Sequence, residues 1–351
     1  VKALVLCAGL GTRLRPFTFS TAKHLIPVAN KPVLFHVVEA LRDAGCADVG
    51  VVVSHESRAP IQAALGDGAG LGVHVTYIDQ PSPRGLAHAT ACGRAFVGDE
   101  SFLLYLGDTL LPEGLRGLVA AFAGGAAAAV MLKPVDDPKS FGIAVVDGDR
   151  VLRLVEKPHE PPSNLAIAGA YAFTSEIFSS IERLEPSWRG EYEITDALQD
   201  LIDRGREVRA FRSPGWWKDA GNPEDLIDAN SAMLDALEGE RHGHVDARSR
   251  LEGVVVLGKG SRVVSSVLRG PVIVGAGAVI EDAEVGPHVS VGDHARIARS
   301  RLRESLVMRD ALVIDVAEPL ARCVIGQKAE VRGGAATRLI IGDQCRVRLR
   351  G

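Results

Sequence analysis

The sequence predicts an α/β domain on a mixed, mostly parallel sheet, followed by a parallel β-helix of hexapeptide-like coils. Three observations predict it. Short apolar runs alternate with helical patterns through the first two-thirds of the chain. The pattern changes after about Gly239. Beyond it, apolar residues recur about every six positions and helical spacing disappears.

The runs at 3–7, 49–53, 73–78, 102–106 and 127–132 read as strands, most of them buried on both faces. Between the first two, Val33, Leu34, Val37, Val38 and Leu41 recur at helical spacing, and Gly45 supplies a stop. Further helices are expected over 194–204, ending at Gly205, and from Pro223, a proline suited to the first helical position, to near Leu237. Strand–helix–strand repetition of this kind implies parallel strands covered by helices. The polar stretch 240–249 (ERHGHVDARS) reads as a linker or entry turn. Val274, Ile280, Val285, Val291, Ile297, Leu302 and Val307 then follow at spacings of 6, 5, 6, 6, 5 and 5 residues, several of them preceding glycine. Stacked coils explain that period, each coil laying its apolar residue on the one before. A sandwich of short strands is the rival, with turns at about 8–12 residues. One core stops growing near ~250–300 residues. The 351-residue chain is therefore divided into domains 1–239 and 240–351.

Composition excludes several classes of function. Apolar residues make up 46% and charged residues 24%, and the net charge is 40 − 44 = −4. That balance argues against a nucleic-acid partner held by bulk electrostatics, while leaving room for a local basic pocket. Cys7, Cys46, Cys92, Cys323 and Cys345 are odd in number and never in CxxC spacing, which fits reduced thiols. The apolar stretch 126–132 is far shorter than the ~20 residues that span a bilayer. Val1 leads straight into a strand pattern rather than a leader, so a cytoplasmic chain with no membrane partner is expected.

The chemistry begins at the end of the first strand, with Ala8-Gly9-Leu10-Gly11-Thr12-Arg13-Leu14-Arg15-Pro16. A glycine-rich turn after a strand offers backbone N–H groups to phosphate oxygens. Leu14 stands where the dinucleotide fingerprint has its third glycine, and the GK[ST] of a Walker loop is absent. Two arginines and then Lys23 follow instead, a forked donor and a mobile point charge suited to a polyphosphate. Asp108 follows a five-residue apolar strand and Gly107, at the edge where open α/β sheets bind ligands. Asp219 occupies a similar position after Trp216-Trp217-Lys218. Two such carboxylates suit Mg²⁺, a hard cation that shares its shell with substrate phosphates; each alone would also serve as a turn or cap residue. Gln80 and Gly85 flank a proline-rich turn, where an amide could meet a pyrimidine edge or where a plain surface loop could stand. Glu156-Lys157-Pro158 ends the run 151–155, and Pro158 stops the strand ladder.

These blocks together resemble the sugar-1-phosphate nucleotidylyltransferases, and within them the long-form glucose-1-phosphate thymidylyltransferases. The resemblance rests on GLGTRLRP, on Ala22-Lys23-His24-Leu25-Ile26-Pro27-Val28 with Lys31-Pro32, and on QPSPRGLAHA from Gln80. It extends through Leu106-Gly107-Asp108, Glu156-Lys157-Pro158, RGEYEITD from Arg189 and Trp217-Lys218-Asp219-Ala220-Gly221. It implies a Rossmann-like catalytic domain, a left-handed hand for the β-helix, and transfer of a nucleotidyl group from an NTP to a sugar-1-phosphate. Arg13, Lys23, Asp108 and Asp219 would be catalytic, the two aspartates holding Mg²⁺. Ala8, where the family commonly has glycine, would bind nucleotide with Gly9, Gly11, Thr12, Gln80 and Gly85. Gly142, Glu156, Lys157, Arg189 and Glu193 would bind the sugar phosphate. Arg84 stands where the family often has an acidic or apolar residue. dTTP is expected first and UTP next, with glucose-1-phosphate or a related sugar phosphate as acceptor. A homo-oligomer is expected, because stacked coils present flat flanks.

Two other readings stay open. His288 and His294 lie on the hexapeptide segment, where hexapeptide acyltransferases use a histidine base, so a bifunctional enzyme would consume an acyl-CoA. A regulatory subunit would bind nucleotide-sugar and release no pyrophosphate.

Overall fold

The computed structural model describes residues 1–349. Two compact units emerge, neither contiguous in sequence: Val1–Leu10 with Leu34–Trp217, and Gly11–Val33 with the chain from Lys218 onward.

The first unit is built on a nine-stranded sheet. Its strands in chain order are β1 (Lys2–Cys7), β2 (Asp48–Val53), β3 (His74–Asp79), β4 (Phe102–Leu106), β5 (Ala128–Pro134), β6 (Gly142–Asp147), β7 (Arg150–Glu156), β8 (Leu165–Phe173) and β9 (Val208–Arg212). Across the sheet they run β3-β2-β1-β4-β8-β5-β9-β7-β6. The first four are mutually parallel, as the buried apolar runs imply. The other half is mixed. β8 lies antiparallel to β4 and β5, β7 lies antiparallel to β6 and β9, and β9 lies parallel to β5. Only Gly148-Asp149 joins β6 to β7, which is enough for a hairpin and far too short for a crossover.

Register decides where the site lies. Cys7 pairs with Val53, Val53 with Asp79, and Leu6 with Leu106. Ala8, Ser54, Gln80 and Gly107 therefore leave the sheet along one edge, the C-terminal edge of the parallel strands. Helices α1 (Val33–Asp43), α2 (His55–Leu65), α3 (Leu86–Cys92) and α4 (Ile194–Asp203) accompany the sheet. The start of α2 is fixed by a capping box, Ser57 N–H to Ser54 Oγ at 3.2 Å and Ser54 N–H to Ser57 Oγ at 3.0 Å. Leu4, Phe102, Leu104, Val130, Leu132 and Phe173 belong to the core of this unit.

The second unit is dominated by the left-handed parallel β-helix, with three parallel sheets of seven, five and six strands as its flanks. Val255 pairs with Val272, and Val272 with Val289, an advance of 17 residues per coil. Three flanks per coil give the period near six in the sequence. The inward residues of that column are fully buried, so each coil covers the apolar face of its neighbour. Helix α5 (Pro223–Asp235) precedes the coils, with Asn222 as its cap and Pro223 in its first turn. Helix gives way to coil between Asp235 and the strand His244–Val245. Contacts, however, group residues 11–33 and 218–239 with the coils. Among the described residues no helix is long and apolar enough to cross a membrane.

Candidate active site

The edge of the parallel strands carries the first group of expected residues. Ala8 and Gly9 continue from β1, whose last carbonyl, Cys7 O, accepts from Ser57 Oγ at 3.0 Å. Gly107 donates its N–H to Leu6 O at 3.1 Å, extending the β1–β4 ladder by one bond before Asp108 turns away, half-buried.

Gln80, on the same edge, is buried at 7% exposure. Its amide nitrogen lies 2.9 Å from His88 Nδ1 and 3.4 Å from Gly85 O. Since the Gly85 carbonyl can only accept, the amide nitrogen is the donor, and His88 Nδ1 is assigned as an acceptor. Burial, with the nearby Arg84 charge second, holds the His88 pKa below its ordinary value, which favours that neutral ring. Gly85 has φ +102°, and a Cβ there would stand 2.5 Å from Tyr192 O, so glycine is required. Backbone bonds from Tyr192 N–H to Arg84 O, 2.8 Å, and from Ala87 N–H to Tyr192 O, 3.0 Å, clamp the two loops together. The unusual Arg84 is turned onto Tyr192, stacking 4.8 Å from its ring centre and donating to its hydroxyl at 2.8 Å.

The expected sugar-phosphate residues do come together. Arg189 Nη1 is 3.1 Å from Glu193 Oε1 and 3.7 Å from Glu156 Oε1, while Nη2 is 3.0 Å from Glu191. Lys157 Nζ lies 4.0 Å from Glu156, and the Lys157 backbone is held at φ +40° by its N–H bond to Phe141 O, 3.0 Å. A non-glycine residue in that region is a strained feature of the kind found at ligand sites. Glu156 Oε2 accepts from Thr195 Oγ1 at 3.2 Å, and Ser187 Oγ donates to Glu193 at 2.9 Å. Burial raises the Glu156 pKa above the usual carboxylate range; Glu193 adds to the rise, and Lys157, Thr195 and Arg189 oppose it. A Cβ on Gly142 would meet Thr195 Cγ2 at 2.6 Å and Glu156 Oε2 at 3.1 Å, so this glycine makes room for the carboxylate itself. A cavity of about 470 Å³ borders the cluster, and of the expected sugar-phosphate residues only Glu156 lines it, with Leu152, Leu154, Ser187, Trp188 and Asp196 among the others.

The remaining expected residues lie in the second unit. Gly11 has φ +63°, and a Cβ on it would stand 2.9 Å from Lys23 Cβ, so the chain folds back to lay Lys23 against the glycine turn. Thr12, Arg13 and Leu14 form one 3₁₀ turn, with Leu14 N–H bonded to Gly11 O at 3.0 Å. Arg13 and Asp219 meet over Gly221, where a Cβ would lie 3.2 Å from Arg13 Nη2 and 3.2 Å from Asp219 Oδ1. His288 is tied to Asp235 at 2.7 Å, and His294 sits at a coil corner with φ +57°.

Sequence reading left His88, Ser187, Thr195 and Gly221 out of the site. Three of these sit inside or beside the quoted motifs, but their roles depend on partners that only the fold supplies.

The nucleotidyl transferase family model matches residues 2–236. The chain belongs to that family. It is 42% identical over 356 aligned residues, 99% of each chain, to the glucose-1-phosphate thymidylyltransferase of Streptomyces antibioticus. It is 41% identical to the low-salt glycan biosynthesis nucleotidyltransferase Agl11 of Haloferax volcanii, covering 99% of this chain and 100% of that one. A crystal structure from Bacillus anthracis, assigned as a glucose-1-phosphate thymidylyltransferase and solved with sucrose, superposes with a TM-score of 0.64 at 35% identity. It covers 68% of this nucleotidyl transferase and 98% of its own chain.

Proposed function

We propose that the protein joins an NTP to glucose-1-phosphate or a related sugar-1-phosphate, giving an NDP-sugar and pyrophosphate. The observation that carries this reading is the cluster of Glu156, Glu193, Lys157 and Arg189, which joins carboxylates able to accept from sugar hydroxyls to cations able to hold a phosphate. The family match and the full-length relatives support it.

An oxygen of the sugar phosphate attacks the α-phosphorus in line, the bond to the β-phosphate oxygen breaks, and pyrophosphate leaves. The nucleophile is already an anion, so no side chain need be activated. Positioning and charge neutralisation then carry the catalysis. Arg13 and Lys23 hold the triphosphate with the backbone of Ala8, Gly9, Gly11 and Thr12. Lys157 and Arg189 hold the attacking phosphate against its repulsion from the NTP. Gln80 and Gly85 read the base. With the Gln80 nitrogen engaged by His88 and Gly85 O, its carbonyl is the end left for a base, suiting the N3–H of thymine or uracil.

Members of this family generally use a divalent metal. Asp108 and Asp219 fit Mg²⁺ by donor chemistry, both being half-buried carboxylates. Mg²⁺ would supply positive charge to the phosphate oxygens, with substrate and water completing its shell. Residues 1–239 are assigned to catalysis and 240–351 to the β-helix. A homo-oligomer working in the cytoplasm fits the flat coil flanks and the five free cysteines.

The test is kcat/KM for dTTP, UTP, ATP, CTP and GTP with glucose-1-phosphate. dTTP should lead, with UTP behind by no more than the ~1–3 kcal/mol that one methyl group commands. A purine nucleotide in first place would overturn the base reading.

A further inference from the structure

Residues 11–33 form an arm that carries Arg13 and Lys23, and the arm is fixed to α5 and the coils by a small set of polar ties. Ser20 Oγ donates to Asp343 Oδ2 at 2.5 Å, and Asn30 Nδ2 donates to Val291 O at 2.7 Å. Ala29 N–H donates to Asn230 Oδ1 at 2.9 Å, and Ser290 Oγ donates to the same oxygen at 2.6 Å. One buried side chain on α5 thus joins the arm, the helix that follows Asp219, and a β-helix strand.

The arm needs external support at this point. Pro27–Val28 and Lys31–Pro32 pair as a hairpin whose two turn residues, Ala29 and Asn30, both have positive φ, +49° and +61°. Two such residues match a type I′ turn, and alanine is a poor occupant because its Cβ crowds the backbone. Ile26 and Val28 are buried beside the turn, while a cavity of about 240 Å³ lies between arm and coils, lined by Leu25, Pro27, Asn30, Met308, Arg309 and Asp343 among others. Beyond the hairpin pairing, two bonds hold the disfavoured turn to its surroundings, at Ala29 N–H and at Asn30 Nδ2. Asn230 is fully buried, and its Nδ2 has no hydrogen-bond partner among the described residues. An unpaired buried amide N–H is a cost that a smaller or apolar residue would avoid. The compensating gain is at Oδ1, which accepts two bonds that an apolar side chain could not.

We propose that Asn230 is a positioning residue for the triphosphate-holding arm, and that the β-helix, through Ser290 and Val291, is the scaffold that keeps Arg13 and Lys23 in place. The inference rests on the reading of Arg13 and Lys23 as triphosphate ligands. It gives the β-helix a role in nucleotide binding beyond assembly.

The test uses full-length Asn230→Ala, Asn230→Asp and Ser290→Ala, with Lys23→Ala as reference, scored by pyrophosphate release and by thermal unfolding. Asn230→Ala should raise KM for dTTP by ~10-fold while KM for glucose-1-phosphate stays within ~2-fold, because only one substrate's site has lost its support. Asn230→Asp, which keeps an acceptor for Ala29 N–H, should recover part of that loss. Ser290→Ala should shift KM for dTTP in the same direction by less, and it carries the test if Asn230→Ala does not fold. The proposal is overturned if Lys23→Ala raises KM for dTTP and the Asn230 and Ser290 variants do not. It is equally overturned if both KM values rise together as Tm falls, since Asn230 would then be only structural. If Lys23→Ala itself leaves KM for dTTP unchanged, the reading of the arm fails first and the proposal with it.

Discussion

In the first unit Arg189 stands among three carboxylates, with Glu191 at 3.0 Å, Glu193 at 3.1 Å and Glu156 at 3.7 Å. In the second unit Arg13 and Lys23 ride on an arm shaped by backbone turns and held by the β-helix. The difference teaches that the two proposed phosphate sites are prepared by opposite means. The first is set by charge: its cations are already balanced, and an arriving phosphate must compete with carboxylates for them. The second is set by backbone geometry, so glycines and remote ties matter there more than neighbouring charge. Substitutions should therefore fail in different ways on the two sides.

The largest effect concerns the two aspartates proposed for Mg²⁺, one in each unit. Asp108→Asn and Asp219→Asn should each lower kcat by ~10²–10³ at fixed Mg²⁺, the usual scale for losing one electrostatic stabiliser of a transition state. Near-normal rates in both variants would remove the metal assignment. Next in size is the separation of the two cation sets. Arg189→Ala should raise KM for the sugar phosphate ~10–100-fold and Arg13→Ala should do the same for the NTP, each leaving the other substrate nearly untouched, as for a charge-assisted bond worth ~1.5–3 kcal/mol. Equal effects on both substrates would merge the two regions into one.

Glycine variants should sharpen the contrast at a smaller scale. Gly11→Ala puts a Cβ 2.9 Å from Lys23 Cβ at φ +63°, so it should cost ~1 kcal/mol or more and raise KM for the NTP. Gly142→Ala pushes on Thr195 and Glu156 and should raise KM for the sugar phosphate instead. Calorimetry with two-substrate kinetics would separate these outcomes, and a Gly11→Ala enzyme with unchanged nucleotide KM would contradict the geometric account of the arm.

The smallest expected effect is a pH shift confined to the charge-built side. In its proposed role Glu156 must be ionised to accept fully from sugar hydroxyls, and its raised pKa leaves more of it protonated in mild acid. The acid limb of kcat/KM for the sugar phosphate should thus lie above the ordinary glutamate value of about 4.3. Glu193→Gln removes a neighbouring negative charge that raises this pKa, so the limb should move to lower pH relative to the parent enzyme. Movement to higher pH, or no movement, would break the electrostatic account.

Much of this was legible in the sequence, for identifiable reasons. The strands at 3–7, 49–53, 73–78 and 102–106 emerge within a residue or two of their expected bounds; three of them are buried on both faces and so apolar nearly throughout, while the edge strand His74–Asp79 is only partly buried. The β-helix was legible because every coil repeats the same burial. The antiparallel half was harder: β8 reads LAIAGAYAF, an alanine-rich run with weak strand propensity, and α2 carries Pro60 in its interior. In the site, charged motif residues announced themselves by type and spacing. His88 and Asn230 did not, since each acts through a partner distant in sequence or in another element, Gln80 in one case and Ala29 with Ser290 in the other.

The central claim is transfer of the α-phosphorus to a sugar phosphate, and tracking that atom tests it directly. The enzyme would be incubated with glucose-1-phosphate, Mg²⁺ and dTTP labelled at the α-phosphate, and products separated over time. The account predicts label in a nucleotide-sugar, with one pyrophosphate released per label transferred and no product when glucose-1-phosphate is omitted. Label appearing in free dTDP or dTMP, or nucleotide retained without pyrophosphate release, would contradict it.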